Sequence, residues 1–243
     1  YEYNWIFLRA LRAHWRGRPA DILRVHSPYS VGPGALLFAR QAGVPIVLHY
    51  LHREPRTLWS AIDRLTLPRY DLVVTISHAT ARSLREAGLP ASRIVVAHPG
   101  VSDAYAPPPS RSCGDGAVQA LYVGGLLPRK NLPLALRGLA LARQRGARVD
   151  LLVAGTGPEE APLRRQAEAL MPDGGVRFLG RVDERTKRDL LARADIFLFP
   201  SVLEGFGMAA AEALACGLPV IGLRTTSTAE IVRDGVSGVL LDA

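Results

Sequence analysis

Two glutamates, Glu204 and Glu212, stand eight residues apart in the stretch SVLEGFGMAAAEALACGLPV. The LFPS run before them reads as the end of a strand, and Glu204-Gly205-Phe206-Gly207 as a turn. A short helix follows from about Met208 to Ala215, closed by Cys216-Gly217 and Pro219. Its small side chains permit close approach to a ligand or a sheet. At its mouth, the amides of Phe206 and Gly207 favour an anion. Glu212 falls among Ala, Leu and Met, where burying a carboxylate without a partner is costly. A vicinal diol such as that of a ribose offers it two hydrogen bonds, and Glu204, beside the anion, is placed to address a sugar hydroxyl. The same residues also suit a dipole-stabilised turn and a solvated helix glutamate, and spacing alone does not separate the readings.

A second loop has phosphate character. In LYVGGLLPRKN a strand ends in Gly124-Gly125, and Arg129-Lys130 follow at a helix entrance. Glycines admit a close backbone, and cations with a helix dipole favour a diphosphate, although such a sequence is also a common turn. Of thirty basic residues only Lys130 and Lys187 are lysines, so their positions invite attention. VAGTGPEE (153–160) has two glycines of a dinucleotide fingerprint and reads as a structural turn near the ligand.

The elements that carry these loops alternate. DILRVHS (21–27), VPIVLHY (44–50), DLVVTIS (71–77) and RIVVAHP (93–99) read as strands, with helices between them. One such helix is HATARSLREAG (78–88), with Ser77 as N-cap and Gly88 as its stop. SDAYAPPPSRSCGDGA breaks the rhythm, which then resumes through five further strands, from VQALYVGG to PVIGL. Strands separated by helices imply parallel sheets, and here two α/β units, both Rossmann-like and doubly wound. The expected division is 1–103, a linker over 104–117, and 118–243, with ligands beyond the carboxyl ends of the strands.

Composition narrows the partners. Net charge is +8, and 48% of the residues are hydrophobic, ample for a buried core. No eighteen-residue apolar run and no signal-peptide pattern occur, and Cys113 and Cys216 form neither a disulfide framework nor a zinc pattern. The expected setting is cytoplasmic. Residues 1–70 hold ten arginines against four acids. In WIFLRALRAHWRGRP, Arg9, Arg12 and Arg16 share a stripe beside Leu8, Leu11 and Trp15, suiting an anionic membrane surface at the inner face. The commoner use of this pattern is a helix packed on its apolar face and solvated on its basic one. No reading motif or aromatic–basic interleaving accompanies the charge, which argues against nucleic acid.

With these stretches in view, the chain resembles the retaining, nucleotide-sugar-dependent glycosyltransferases of family 4, which have the two-domain GT-B fold. EGFGMAAAE matches the family's E-x7-E signature, and ADIFLFPSVLEGFGMAAAEALACGLPVIGL with AEIVRDGVSGVLL extends the likeness over some fifty residues. YVGGLLPRKN resembles its diphosphate loop and FLGRVDERTKRDLLARA its base-recognition segment. GVPIVLHYLHR, DLVVTISHATARSL and IVVAHPGVS are similar to its acceptor domain. The resemblance implies that Lys130, helped by Arg129, neutralises a departing diphosphate, with Gly124, Gly125 and the Gly205–Gly207 turn lining its site. Glu204 would meet the transferred sugar and Glu212 the ribose diol. The Val182 backbone and Lys187 would flank the base, and His52, or His49 three residues earlier, would face the sugar or acceptor. The implied reaction is front-face displacement through an oxocarbenium-like state.

The implied enzyme is a retaining hexosyltransferase moving a sugar from a UDP- or GDP-sugar, with PRKN leaning toward a mannose-like donor. Its acceptor would be a glycan or lipid-linked molecule in bacterial cell-envelope polysaccharide biosynthesis. No D-x-D motif occurs, so no metal or other cofactor is expected. The chain departs from the family at Gly125, commonly Arg, and in RTTSTAE, where a glycine pair is common. The likeness starts partway into the first domain, which is expected to be incomplete, with an open edge for an oligomer or partner chain. The alternative is a catalytically impaired nucleotide-binding or partner-dependent module. A nicotinamide oxidoreductase lacks its G-x-G-x-x-G, and a sugar-nucleotide epimerase matches the E-x7-E signature less well.

Overall fold

The computed structural model of the protein describes residues 2–16, 20–26, 28, 31–51, 65–109, 116–225 and 227–242. It divides into two compact units, Tyr1–Pro99 and Gly100–Ala243.

In the first unit, four parallel strands lie in the order β1-β2-β3-β4: Leu23–Val25, Ile46–Tyr50, Leu72–Thr75 and Ile94–Val96. Along β2, Ile46, Leu48 and Tyr50 are buried while Val47 and His49 are partly exposed, the alternation of a strand with one covered face. The covered face packs on α2 (Gly32–Ala42) and α3 (His78–Glu86), joining Ala35, Leu36, Ala39 and Leu84 to Val25, Leu48 and Val73. As expected, Ser77 caps α3, accepting from the Thr80 amide at 3.1 Å.

The N-terminal helix α1 (Glu2–Trp15) packs on α2. Leu8 is buried, the Trp15 and Phe38 rings meet edge-on at 5.1 Å, and the Gly34 amide donates to Asn4 Oδ1 at 3.0 Å. Gly34 makes this approach: a Cβ there would lie 2.8 Å from the Asn4 carbonyl oxygen. The outward side of α1 carries Trp5 and Ile6, 62% and 66% exposed, with Arg9, Arg16 following. No helix among the described residues is long and apolar enough to cross a membrane.

The second unit has six parallel strands in the order β10-β9-β8-β5-β6-β7. They are Val118–Val123 (β5), Val149–Ala154 (β6), Val176–Gly180 (β7), Ile196–Phe199 (β8), Val220–Leu223 (β9) and Gly238–Leu241 (β10). From β5 the chain steps outward to β6 and β7, then returns to the other flank of β5 for β8, β9 and β10. Right-handed crossovers place helices from the two directions on opposite faces. Thus α4 (Leu132–Gln144) and α5 (Glu160–Leu170) cover one face, while α6 (Glu184–Arg193) and α7 (Met208–Ala215) cover the other. Strand β5 serves both cores: Ala120 and Tyr122 point into the first, Leu121 into the second. Val101 and Tyr105 pack with the second core. The order reverses between β5 and β8, and the loops leaving those two strands carry Arg129-Lys130 and Glu204.

Candidate functional site

The loop after β5 is shaped from below. The buried Tyr122 phenol donates to the Gly125 carbonyl at 3.0 Å. Burial, then the nearby Glu204 charge, push this phenol's pKa well up against the opposing Arg129, so it remains a donor. From the side, the VAGTGP turn locks on through Gly124 N to Ala154 O and Leu126 N to Thr156 O, both 3.0 Å. A Cβ on Gly155, at φ 145°, would fall 1.9 Å from the Gly124 carbonyl oxygen, so glycine is required. The expectation of a structural turn at 153–160 fits this packing. Pro128–Lys130 then forms a 3-10 turn, and Asn131, at φ 51°, leads into α4.

That turn presents both basic residues to the loop after β8. The Lys130 ammonium is ion-paired with Glu204 Oε1, their side chains only 16% and 10% exposed. Arg129 Nη1 lies 3.7 Å from Glu204 Oε2 and donates to the Leu203 carbonyl at 3.3 Å. Ser227 fixes the turn by donating to the carbonyls of Phe206 at 2.9 Å and Glu204 at 3.2 Å. Gly207, at φ 103°, begins α7 with Phe199 and Ile231 side chains 3.2 Å from where a Cβ would sit.

Just over one turn into α7, Glu212 has a protein partner. Lys187 Nζ, on α6, is 3.1 Å from both Glu212 oxygens and 3.0 Å from Glu184 Oε1. The Tyr105 hydroxyl donates to Glu184 Oε2 at 2.5 Å, and its ring centroid lies 5.1 Å from the Lys187 ammonium. Burial works against the Lys187 charge, but bonds to Tyr105, Glu184 and Glu212 outweigh it and hold its pKa well above the ordinary lysine value. Burial, then the Glu184 bond, raises the Tyr105 phenol, while Tyr105 and Lys187 hold the Glu184 carboxyl down.

The structure therefore pairs each lysine of the chain with one glutamate of the E-x7-E spacing and, counting the ion-paired side chains among the described residues, gives the two clusters opposite charge. Lys130 and Arg129 face one carboxylate, Glu204. Lys187 faces two, Glu184 and Glu212. One end attracts an anion and the other attracts hydrogen-bond donors. Gly124, Gly125, Gly205, Phe206 and Gly207 belong to the first end's loops, whereas Val182 sits between β7 and α6, beside Asp183, which caps α6 by accepting from the Thr186 amide at 2.7 Å. His52 lies outside the described residues. His49 is in the first unit, on β2, with its Nδ1 3.3 Å from Arg24 Nη2 and its ring 5.0 Å from His26. Among the described residues no group of three His, Cys, Asp or Glu side chains is placed to hold a metal ion. Tyr105, Tyr122, Glu184 and Ser227 were not singled out by sequence reasoning. The only available signal was their position within or beside the conspicuous loops.

Residues 113–243 match the family model described as glycosyl transferases group 1. The chain belongs to that family. Residues 1–105 match the model of glycosyltransferase family 4. Among relatives of this glycosyltransferase chain, D-inositol 3-phosphate glycosyltransferase 2 of Catenulispora acidiphila is 30% identical over 95% of the chain and 61% of the relative. O-antigen chain mannosyltransferase B of Escherichia coli is 33% identical over 70% of the chain and 47% of the relative. The chain thus spans about half to three fifths of the curated relatives it matches. Among solved structures, Anabaena Alr3699/HepE in complex with UDP and glucose overlays with TM-score 0.82 at 21% identity, over 97% of this chain and 67% of that one. The lipopolysaccharide outer core galactosyltransferase WaaB overlays with TM-score 0.74 at 20% identity, over 97% and 66%. Both carry the same fold of two parallel-sheet α/β domains as this chain.

Proposed function

We propose that this chain binds a nucleotide sugar in its second unit and transfers the hexose, with retention, to a glycan or lipid-linked acceptor. The observation that carries this reading is the opposite charge of two clusters at the carboxyl edge of one sheet. A nucleoside diphosphate has matching ends. Its diphosphate goes to Arg129, Lys130 and the mouth of α7, and its ribose diol donates to Glu212, with the base toward Val182 and Lys187. As the bond from the anomeric carbon to the diphosphate oxygen breaks, the two cations take up the negative charge where a metal ion would otherwise act. The acceptor hydroxyl attacks from the face the diphosphate leaves, and its proton passes to a phosphate oxygen. Donor preference is for UDP or GDP, in keeping with the UDP complexes of HepE and the mannosyltransferase relative. Work on cell-envelope polysaccharide, in keeping with the O-antigen mannosyltransferase relative, and at the inner face of a membrane, in keeping with the outward side of α1, are parts of the same proposal.

Calorimetric titration with UDP, GDP and ADP, with EDTA or with magnesium, tests the site. One nucleotide is expected to bind in EDTA, and Glu212→Ala to weaken it by about tenfold, one lost charge-assisted bond. If no nucleotide binds a folded chain, the donor-site reading fails. Binding without hydrolysis or transfer of any donor sugar would leave a nucleotide-binding module and not an enzyme.

A further inference from the structure

Glu204 already occupies the cations to which a diphosphate would bind. Its carboxylate holds Lys130 in a largely buried ion pair and has Arg129 at 3.7 Å. We propose that Glu204 is an internal counterion: it competes with the diphosphate for Lys130, lowers the affinity for the nucleoside diphosphate, and speeds its departure once the sugar has gone. This rests on the reading of Arg129 and Lys130 as the diphosphate cations.

The physical case has three parts. A lysine only 16% exposed is costly to leave without an opposite charge, so whenever the anion is gone something must cover it. Glu204 is the carboxylate placed to do so, because Ser227 anchors its carbonyl and that of Phe206 while Arg129 donates to the Leu203 carbonyl. The backbone under the carboxylate is held, and the long Lys130 side chain is the part able to turn between two partners. With a diphosphate bound, Glu204 becomes a like charge beside it, and its repulsion opposes the nucleotide while the shared cations are divided. Glu212 does not compete in this way, since its cation, Lys187, is shared with Glu184 and lies at the end of net negative charge.

The test measures UDP and GDP binding to the whole chain and its variants, by calorimetry for affinity and stopped-flow for dissociation. Glu204→Gln keeps the shape and removes the charge. It is expected to bind the preferred nucleotide about tenfold more tightly, mostly through slower dissociation, while sugar transfer is lost. Glu204→Asp keeps the charge and should stay within about threefold of the parent. The gain should vanish in Glu204→Gln/Lys130→Gln, which leaves no buried charge uncovered and so also answers any folding defect of the single variant. Unchanged or weaker binding by Glu204→Gln, or a gain that persists without Lys130, overturns the counterion role while the donor site stands. Absence of nucleotide binding by the parent overturns both.

Discussion

At the scale of single residues, the site is held by a relay that the E-x7-E spacing does not reveal. Tyr105 reaches Glu184, Glu184 and Glu212 share Lys187, and the Tyr105 ring lies under the same ammonium. Tyr105 is a positioning residue on this geometry, acting on the ribose end through Lys187. Tyr105→Phe removes a bond to a carboxylate that is 72% exposed, so the loss should be small, about two- to fivefold in the donor KM. Tyr105→Ala also removes the ring beneath the cation and should raise the donor KM about tenfold or more with kcat little changed. Steady-state kinetics on both variants decides it: a fall in kcat with unchanged KM would place Tyr105 elsewhere in the reaction. Glu204, Glu212, Lys130 and Lys187 stand out in the sequence by type and spacing, although spacing alone leaves their roles open. Their pairing was not legible, because Lys130 meets Glu204 only through β8 lying beside β5, and Lys187 meets Glu212 only through α6 and α7 covering the same face of the sheet. The need for a partner at Glu212 was legible, and the structure answers it with Lys187, which a ribose would have to share.

At the scale of elements, alternation and caps placed nine of the strands and their helices within a few residues. Strand β10 was missed for a physical reason. GVLL is short, has no polar alternation, and is a strand because Gly238 lets its backbone approach β9, where a Cβ would meet the Val220 carbonyl oxygen at 2.0 Å. In TAEIVRD only Thr228–Ile231 is helical, since Asp234 turns away to Arg224 and the Leu240 amide. In α1 the stripe takes its commoner use, with Leu8 buried and Trp15 against Phe38 of α2. Its buried side packs on α2, and its outer side sets Trp5 and Ile6 beside Arg9 and Arg16. This pattern suits the surface of an anionic bilayer, where each basic residue contributes about 1 kcal/mol. Cosedimentation with vesicles of phosphatidylglycerol and phosphatidylcholine should retain the chain. Arg9→Glu/Arg16→Glu should lower partitioning by more than about tenfold, and raised salt should do the same. Equal binding to purely zwitterionic vesicles would mean that the basic side of α1 is only a solvated surface.

At the scale of the whole molecule, the two units have separate cores, and the directions of their pKa shifts predict a different response to acid. In the first, burial, then Arg24, then His26 hold the His49 pKa below the ordinary 6.5. A histidine whose folded pKa is depressed binds its proton more readily in the unfolded chain. Its contribution to stability is therefore complete above about pH 6.5 and is lost as pH falls toward the folded value. In the second unit the depressed groups are carboxylates. The Thr186 amide lowers Asp183, the Tyr105 hydroxyl Glu184, and the Leu240 amide with Arg224 lowers Asp234, from ordinary values of 3.8, 4.5 and 3.8. Their contributions are complete above about pH 4.5 and drain only below it. All three tryptophans, Trp5, Trp15 and Trp59, fall in the first unit's stretch, so their fluorescence follows that unit alone. On acid titration the fluorescence should change first, as pH falls below about 6.5, with far-UV ellipticity of the larger second unit following below about pH 4.5. His49→Gln should move the fluorescence transition to lower pH and leave the later one in place. A single coincident transition, unmoved by that substitution, would mean that His49 does not set the acid limit of the first unit.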